Sequence, residues 1–355
     1  MKKYIGLEDM SNVNCSSVLR VIKNYGGLSR RQIADITGLS WGGMTKIVNK
    51  LFEHGYLVEE KGEASAGNGR IPGVISMNAK RHFVLGLDMN KTGLSAWVMD
   101  LSGNIKKEYF SQNHFGDREG CLENVFHFLD RIIEDFGKDG IEAIGVAMQG
   151  EVDEENGISI RFPGCGDWRN VPVADRIRER FGVEAYLAHD PDCMLFSELR
   201  HADGGNQILL RIDRSVGMAV SLQGNILHGR GLLEIAHSIV VPGGKPCACG
   251  LSGCLEAYVA PCIREEGPDT EAMKEMVLPL ALTVYNMAGL FHADRVVLTG
   301  DLVKYQEVFK EQLLSELKKL MADQEVELTF ISDTGLAVRG AALFAAERVI
   351  DSIKV

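Results

Sequence analysis

Apolar positions recur with helical spacing near the start of the chain. Residues 16–25 carry apolar side chains at positions 18, 19, 21 and 22 and are followed by two glycines. This pattern predicts a short amphipathic helix and its end. Ser29 and, three residues later, Gln32 form a capping box, which predicts that a second helix starts there. That helix is predicted to end at Gly38, where the chain turns.

A third helix is predicted from Ser40, its N-cap, to His54. Its apolar stripe consists of Met44, Ile47, Val48, Leu51 and Phe52. Residues 56–58 then alternate as a strand, a polar loop rich in glycine follows, and residues 70–75 return as a second strand. Two short helices joined by a turn and followed by a hairpin predict a winged helix-turn-helix over residues 11–78, here called the head.

The exposed face of the third predicted helix offers side chains suited to double-stranded DNA. Asparagine can read adenine with two hydrogen bonds, and lysine can contact guanine or phosphate. An arginine at the wing tip, beside glycines, is placed to enter a narrow minor groove. The candidate DNA-binding residues on this argument are Trp41, Thr45, Lys46, Asn49, Lys50 and Arg70. A small helical interaction module with a solvated charged face is the alternative.

From residue 82 onward, the body of the chain alternates apolar strands with amphipathic helices. Residues 83–88 form a buried strand that ends in an aspartate, and residues 94–100 alternate as the next strand. Residues 124–136 have helical spacing, and residues 143–146 are again apolar. This order predicts an α/β lobe.

Composition and charge refine this picture. The 355 residues are enough for two or three domains, and neither a signal peptide nor a run of about 18 apolar residues is present. We therefore expect no membrane partner. The net charge is −11, but residues 1–81 hold twelve Lys or Arg against seven Asp or Glu, a net charge of +5. A basic head on an acidic body is expected of a DNA-reading domain attached to a sensor.

One histidine and three cysteines lie close together in the second half of the chain. They are His237, Cys247, Cys249 and Cys254. Three cysteines and a histidine are a common ligand set for structural zinc, and the neighbouring glycines let the loop fold tightly. The alternative is three ordinary reduced cysteines. A disulfide is disfavoured because nothing marks the chain as secreted, and cysteines scattered at positions 15, 121, 193 and 262 favour the reducing cytoplasm.

The motif Glu-x-x-His, ten residues before Cys-x-Cys-Gly-x-x-Gly-Cys-Leu-Glu, resembles the signature of the ROK family (repressors, open reading frames and sugar kinases). The resemblance implies an α/β fold in which a winged helix-turn-helix precedes a two-lobed actin-like ATPase (ribonuclease H-like) domain. The first lobe is expected over residues 82–190 and the second, with the zinc loop, over 191–355, its last helix packing back on the first lobe. The head resembles that of the repressor branch, which adds Ser29 and Arg30 to the DNA-binding candidates.

The same resemblance implies where a sugar would bind. The family's zinc loop holds its histidine, which also touches the sugar. Asp190 matches the catalytic base of the family's kinases, although an aspartate there can also hydrogen-bond a hydroxyl without chemistry or cap the following helix. The sugar-binding candidates are His189, Asp190, Glu234, His237 and Glu256. Gly164 stands where the family places a sugar-binding asparagine.

The phosphate loops depart from the kinase pattern. A phosphate loop needs glycines so that main-chain N–H groups can approach the anion. Residues 88–93 read Asp-Met-Asn-Lys-Thr-Gly, and residues 213–217 read Asp-Arg-Ser-Val-Gly. Only Gly217 remains of the family's second glycine run, and Asp213 would place a negative charge near the phosphates. The sequence therefore predicts that the chain is not an enzyme.

These observations together predict a sugar-responsive transcriptional repressor of carbohydrate-utilisation genes. Its expected partners are an operator in double-stranded DNA and a sugar or sugar derivative, and its expected assembly is a homodimer or homotetramer. The sequence leaves two alternatives open. One is an ATP-dependent sugar kinase with an accessory head, and the other is a repressor that has lost its response to sugar.

Overall fold

A computed structural model describes most of the chain and divides it into two compact units. The described residues are 7–60, 73–90, 93–112, 116–163, 165–199, 205–227, 235–264, 267–321, 325–332 and 335–354. The first unit comprises residues 1–149, 154–187 and 341–355, and the second comprises 150–153 and 188–340. The head therefore belongs to the same unit as the first lobe.

The head contains three helices and a two-stranded hairpin. Its elements are α1 Leu7–Tyr25, α2 Arg30–Thr37, α3 Trp41–Glu53, β1 Leu57–Glu60 and β2 Val74–Met77. The capping box predicted at Ser29 is confirmed, and the side chain of Ser40 caps α3 by accepting the main-chain N–H of Gly43. The strands pair antiparallel, as expected of a wing. The loop between them, including Arg70, lies outside the described residues.

The predicted start of the first helix is wrong, because α1 begins at Leu7 rather than near Ser16. Cys15 is fully buried with Val18 and Ile22. A buried free cysteine behaves as a small apolar side chain, so it extends the i, i+3, i+4, i+7 pattern toward the N-terminus.

The first lobe is built on a five-stranded sheet. The elements along this stretch are β3 Phe83–Asn90, β4 Gly93–Asp100, β5 Ile105–Gln112, α4 Arg118–Phe136, β6 Ile141–Met148, β7 Glu151–Asp153, β8 Ile158–Arg161, α5 Val173–Phe181 and β9 Glu184–His189, of which β7 falls in the second unit. The strand order is β5-β4-β3-β6-β9. The first three strands form an antiparallel meander, and β3 pairs parallel with β6.

The second unit repeats this plan. Its elements are α6 Asp190–Leu199, β10 Gln207–Ile212, β11 Val216–Leu222, β12 Asn225–Ile226, α7 Glu256–Val259, β13 Ile263–Arg264, β14 Gly267–Pro268, α8 Thr270–Phe291, β15 Arg295–Thr299, α9 Lys310–Leu320 and β16 Glu327–Ile331. The last helix, α10 Leu336–Asp351, begins in this unit and belongs to the first unit from Ala341 onward. The sheet order β12-β11-β10-β15-β16 again places an antiparallel meander beside parallel strands. The repeated topology confirms the predicted two-lobed fold class.

The long helix of the second unit carries a proline in its interior. Helix α8 begins at Thr270, nine residues before Pro279. The carboxylate of Asp269 caps it by accepting the N–H groups of Glu271 and Ala272. Buried Met273 and Met276 continue the apolar stripe across this first part, and the proline is accommodated inside the helix.

Helix α10 connects the first lobe with the head. A Cβ atom at Gly145 on β6 would lie 2.0 Å from the carbonyl oxygen of Ala341, so α10 packs on this sheet at backbone distance. At its other end, the Ser16 hydroxyl donates to the carbonyl oxygen of Ile350 over 2.6 Å. The Arg20 guanidinium lies 2.9 Å from a carboxylate oxygen of Glu347. The head is thus fastened to its own lobe through α1 and α10.

Candidate functional site

The four predicted metal ligands come together in the structure. His237 ends a short 3-10 helix, and the three cysteines lie on the loop that follows it. The four ligand atoms all lie within 4.8 Å of one another. Gly253 makes this loop possible, because a Cβ atom there would lie 1.8 Å from the carbonyl oxygen of Val241. We refer to His237, Cys247, Cys249 and Cys254 as the Cys/His cluster.

The spacing of the Cys/His cluster fits a tetrahedral ion. Four ligands about 2.3 Å from zinc would lie about 3.8 Å apart. The Sγ atom of Cys247 lies 3.6 Å from Nδ1 of His237, and the Sγ atoms of Cys249 and Cys254 also lie 3.6 Å apart. No disulfide joins these cysteines. The donor set therefore fits a zinc ion in both chemistry and spacing.

Two cysteines of the cluster have pKa values shifted in opposite directions. Burial, and then the neighbouring Cys249 and Cys247, raise the pKa of Cys254 to about 12. The main-chain N–H of Leu251, above all, lowers the pKa of Cys249. Without a cation, Cys254 therefore stays protonated, whereas a bound metal ion reverses this balance and stabilises the thiolates.

Asp190, the candidate sugar contact at the start of α6, is 2% exposed and forms an ion pair with Arg211. Nε of Arg211 also lies 2.8 Å from a carboxylate oxygen of Asp213, and Nε2 of His189 lies 3.5 Å from the Asp190 carboxylate. Arg211 thus joins two carboxylates at the end of β10. Sequence reasoning missed it, although a charged residue inside the apolar strand Gln207–Ile212 was the available signal.

The turn between β10 and β11 connects this ion-pair network with the end of the Cys/His loop. Ser215 in this turn donates a hydrogen bond to the carboxylate of Glu256, the first residue of α7. The cluster ends only two residues earlier, at Cys254, so a metal ion there would fix Glu256 as well. Glu234 and Gly164, for which the sequence also predicts positions near a sugar, lie outside the described residues.

Asp213 lies between β10 and β11, in the segment for which the sequence analysis predicts an altered phosphate loop. Its carboxylate accepts the N–H of Asp301 over 2.7 Å, at the start of the 3-10 helix Asp301–Val308. A Cβ atom at Gly300 would lie 2.7 Å from the same carboxylate oxygen. The main-chain N–H that opens this 3-10 helix is therefore bonded to an anion of the chain itself.

Helix α3, which the sequence predicts to read DNA, exposes only part of the predicted DNA-binding set. Its inner face buries Met44, Ile47, Val48 and Leu51, which leaves Trp41, Lys46 and Asn49 exposed. Lys50 is half-buried. The hydroxyl oxygen of Thr45 is buried in this structure, and its contact with DNA stays a prediction.

Two of the predicted DNA contacts have structural partners in the head. The side chain of Ser29 forms the capping box of α2 with Gln32. Arg30 lies over the ring of Phe52 and donates to Oδ1 of Asn49 over 3.3 Å, so it orients that amide on the exposed surface.

Residues 84–264 match the ROK family. The chain is 29% identical over 262 residues to the DNA-binding transcriptional repressor Mlc of Escherichia coli K12. It is also 29% identical over 270 residues to the N-acetylglucosamine repressor of E. coli O6:H1. Each match covers 72% of this chain and 64% of the relative, so the chain spans less than two thirds of these curated relatives.

Solved structures share the fold. A ROK family transcriptional regulator, a homologue of E. coli Mlc, superposes with a TM-score of 0.82 at 18% identity, covering 96% of this chain and 97% of that one. The ROK hexokinase of Thermus thermophilus gives a TM-score of 0.65 at 25% identity, covering 76% and 100%. Among the described residues, no helix is both long and apolar enough to cross a lipid bilayer.

Proposed function

Because this chain belongs to the ROK family, we propose that it is a DNA-binding transcriptional repressor that a sugar or sugar derivative releases from its operator. The observation that carries the proposal is the head, in which α2 and α3 form a helix-turn-helix with an exposed polar face. The match to the Thermus thermophilus hexokinase leaves about a quarter of this chain uncovered. The regulator matches 96% of it.

The DNA-binding role is supported by charge as well as by shape. The net charge of +5 over residues 1–81 contrasts with −11 for the whole chain. Positive charge attracts the phosphate backbone, while groups on a helix in the major groove select the sequence. A homodimer or homotetramer would place two copies of α3 in successive major grooves, about one helical turn apart.

The sugar would bind in the second unit, where hydroxyl groups could pair with fixed acceptors. Asp190, His189 and Glu256 supply such groups, and Glu234 is a further candidate from the sequence. Arg211 already neutralises Asp190, so a sugar must share or displace that ion pair. A ligand that binds one lobe arrangement better than another shifts DNA affinity only by that difference, typically about 1–3 kcal/mol.

The Cys/His cluster would hold a structural zinc ion through His237, Cys247, Cys249 and Cys254. When bound, the ion would stabilise the thiolates and fix the loop that carries them. Glu256 would then lie at the end of a rigid loop, so less conformational entropy would be lost when a sugar binds.

Fluorescence anisotropy on DNA from the protein's own upstream region tests the proposal. We expect tight, salt-sensitive binding that one sugar from a set of hexoses, pentoses and N-acetylated sugars reverses. Asp190→Asn should keep DNA binding but raise the sugar concentration needed for half release by about tenfold, because one charged hydrogen bond is lost. Binding that no sugar alters would favour a repressor without sugar sensing. Absence of specific binding would refute the proposal.

We also propose that the chain does not transfer phosphate from ATP. Asp213 bonds the N–H of Asp301, and its negative charge opposes phosphate. Arg211 pairs with Asp190, the residue that matches the kinase base, and so disfavours its action as a base. A coupled assay of ADP release with the same sugars should show no sugar-dependent rate above background. Sugar-dependent ADP release that Asp190→Asn abolishes would instead establish a kinase.

A further inference from the structure

His82 lies between the end of the recognition helix and the sheet of the first lobe. Its side chain is buried, and its ring stacks on Tyr56 with centroids 3.9 Å apart and planes 7° apart. Tyr56 follows α3 in the head, whereas His82 immediately precedes β3. The histidine therefore occupies the junction between the two parts of the first unit.

Both ring nitrogens of His82 face hydrogen-bond acceptors. Nδ1 lies 2.6 Å from a carboxylate oxygen of Glu142 on β6, and Nε2 lies 3.0 Å from the main-chain carbonyl oxygen of His54. An ionised carboxylate and a carbonyl can accept hydrogen bonds but cannot donate them. A neutral imidazole carries only one N–H, so the two contacts are both satisfied only by the imidazolium form.

The acceptor in the head is the end of the recognition helix itself. His54 is the C-cap of α3, and its carbonyl belongs to the group of carbonyls that a helix leaves without internal partners. The C-terminal end of a helix is partly negative and favours a cation. A protonated ring here therefore donates one hydrogen bond to the carbonyl oxygen at the end of α3 and one to the carboxylate of Glu142 in the sheet.

We propose that His82, as an imidazolium, is a positioning residue for DNA recognition that fastens the C-terminal end of α3 to Glu142 in the first lobe. The inference rests on the proposed DNA-binding function. Its physical basis is that a two-fold assembly reads two half-sites at a fixed spacing, so each recognition helix must be held at a defined place on its lobe. Loss of the fastening weakens specific binding more than binding through phosphates alone.

Other ionisable groups around the ring are the phenol of Tyr56, the imidazole of His54 and the guanidinium of Arg81. Burial, and then the Glu142 carboxylate, raise the pKa of Tyr56 to about 12, so the phenol stays protonated in the range of interest. Arg81 packs against Gly55 and stays charged. The His54 imidazole is bonded to the carbonyl oxygen of Lys50 and requires its own control.

The two protonation states of the ring differ in hydrogen bonding. With both nitrogens protonated, His82 makes both hydrogen bonds. With one N–H, one ring nitrogen faces an acceptor with no hydrogen between them, and we expect specific DNA affinity to be about tenfold lower, since one charged hydrogen bond is lost. The range from about pH 6 to about pH 8.5 covers the charge change of many histidines.

Fluorescence anisotropy across this pH range, with specific and scrambled DNA, tests the inference on the full chain. His82→Gln offers one amide donor and does not titrate, so its ratio of specific to scrambled affinity should be lower than wild type at acidic pH and flat with pH. His54→Ala removes the neighbouring imidazole but keeps the main-chain carbonyl, so it should retain the wild-type profile. The same pH profile in His82→Gln and wild type would overturn the inference.

Nitrogen-15 NMR of histidine-labelled protein gives a second measurement that needs no DNA. The chain has nine histidines, and the signal missing from His82→Gln identifies the ring. Two protonated nitrogens at about pH 6 support the inference, and a neutral ring there overturns it. Absence of specific DNA binding by the wild type would refute the proposed function instead, and these spectra would still decide the state of His82.

Discussion

Replacing Cys249 with serine is expected to release zinc and destabilise the second unit. Serine carries a hydroxyl in place of the thiol and cannot supply a thiolate, so the cluster retains three of its four ligands. We expect bound zinc after dialysis to fall by at least about tenfold. Thermal unfolding should shift down by about 5–10 °C, because the metal that holds residues 247–254 is lost.

A matched control separates metal loss from the loss of a cysteine. Cys262 is buried in the same unit, eight residues after Cys254, and donates to the carbonyl oxygen of Tyr258. Cys262→Ser keeps a donor there and should retain full zinc content. Zinc is measured by mass spectrometry of the dialysed proteins beside calorimetric unfolding. Equal zinc in Cys249→Ser and wild type would remove Cys249 from the ligand set.

Replacing Asn49 with alanine is expected to remove sequence preference, whereas replacing Lys46 with alanine is expected to weaken binding to all DNA. The amide of Asn49 is exposed and held by Arg30, which suits a contact with a base edge. Its loss should cost about 1–3 kcal/mol on the operator, or about 5- to 150-fold, with little effect on scrambled DNA. Lys46→Ala should reduce the slope of log affinity against log salt by about 0.9.

A lysine of the second unit supplies the control for charge. Lys319 lies on α9 and pairs with Glu316, so Lys319→Ala makes the same change in net charge outside the head. Titrations at several salt concentrations on operator and scrambled duplexes distinguish the variants. If Lys46→Ala and Lys319→Ala give the same slope of log affinity against log salt, α3 is not the helix that enters the groove. The same conclusion follows if Asn49→Ala keeps full preference for the operator.

The features that the sequence predicted well depend on neighbours in the chain. The capping box needs Ser29 and Gln32, three residues apart, and the Cys/His cluster needs ligands inside an 18-residue window. Local hydrogen bonds and ligand spacing can be read from residue types because few conformations satisfy them. The stripe that buries one face of α3 follows from helical periodicity in the same way.

The features that the sequence could not predict join residues far apart. Arg211 meets Asp190 across 21 positions, and Asp213 meets the N–H of Asp301 across 88. Such pairs depend on how α6 packs on β10 and on how β10 pairs with β15, and residue spacing does not predict that packing. The repeated strand order of the two lobes was also hidden, because strand pairing is set by tertiary packing.

The contacts between α1 and α10 also constrain how the protein is made. Arg20 and the carboxylates of Glu347 and Asp351 are separated by more than 300 residues along the chain. At about 5–20 residues per second, a ribosome adds this length in roughly 20 to 70 seconds. Over that interval a newly made head has no α10 to fasten it. During that interval, and in any product of interrupted translation, the head depends on its own core, which includes Val18, Ile33 and Met44.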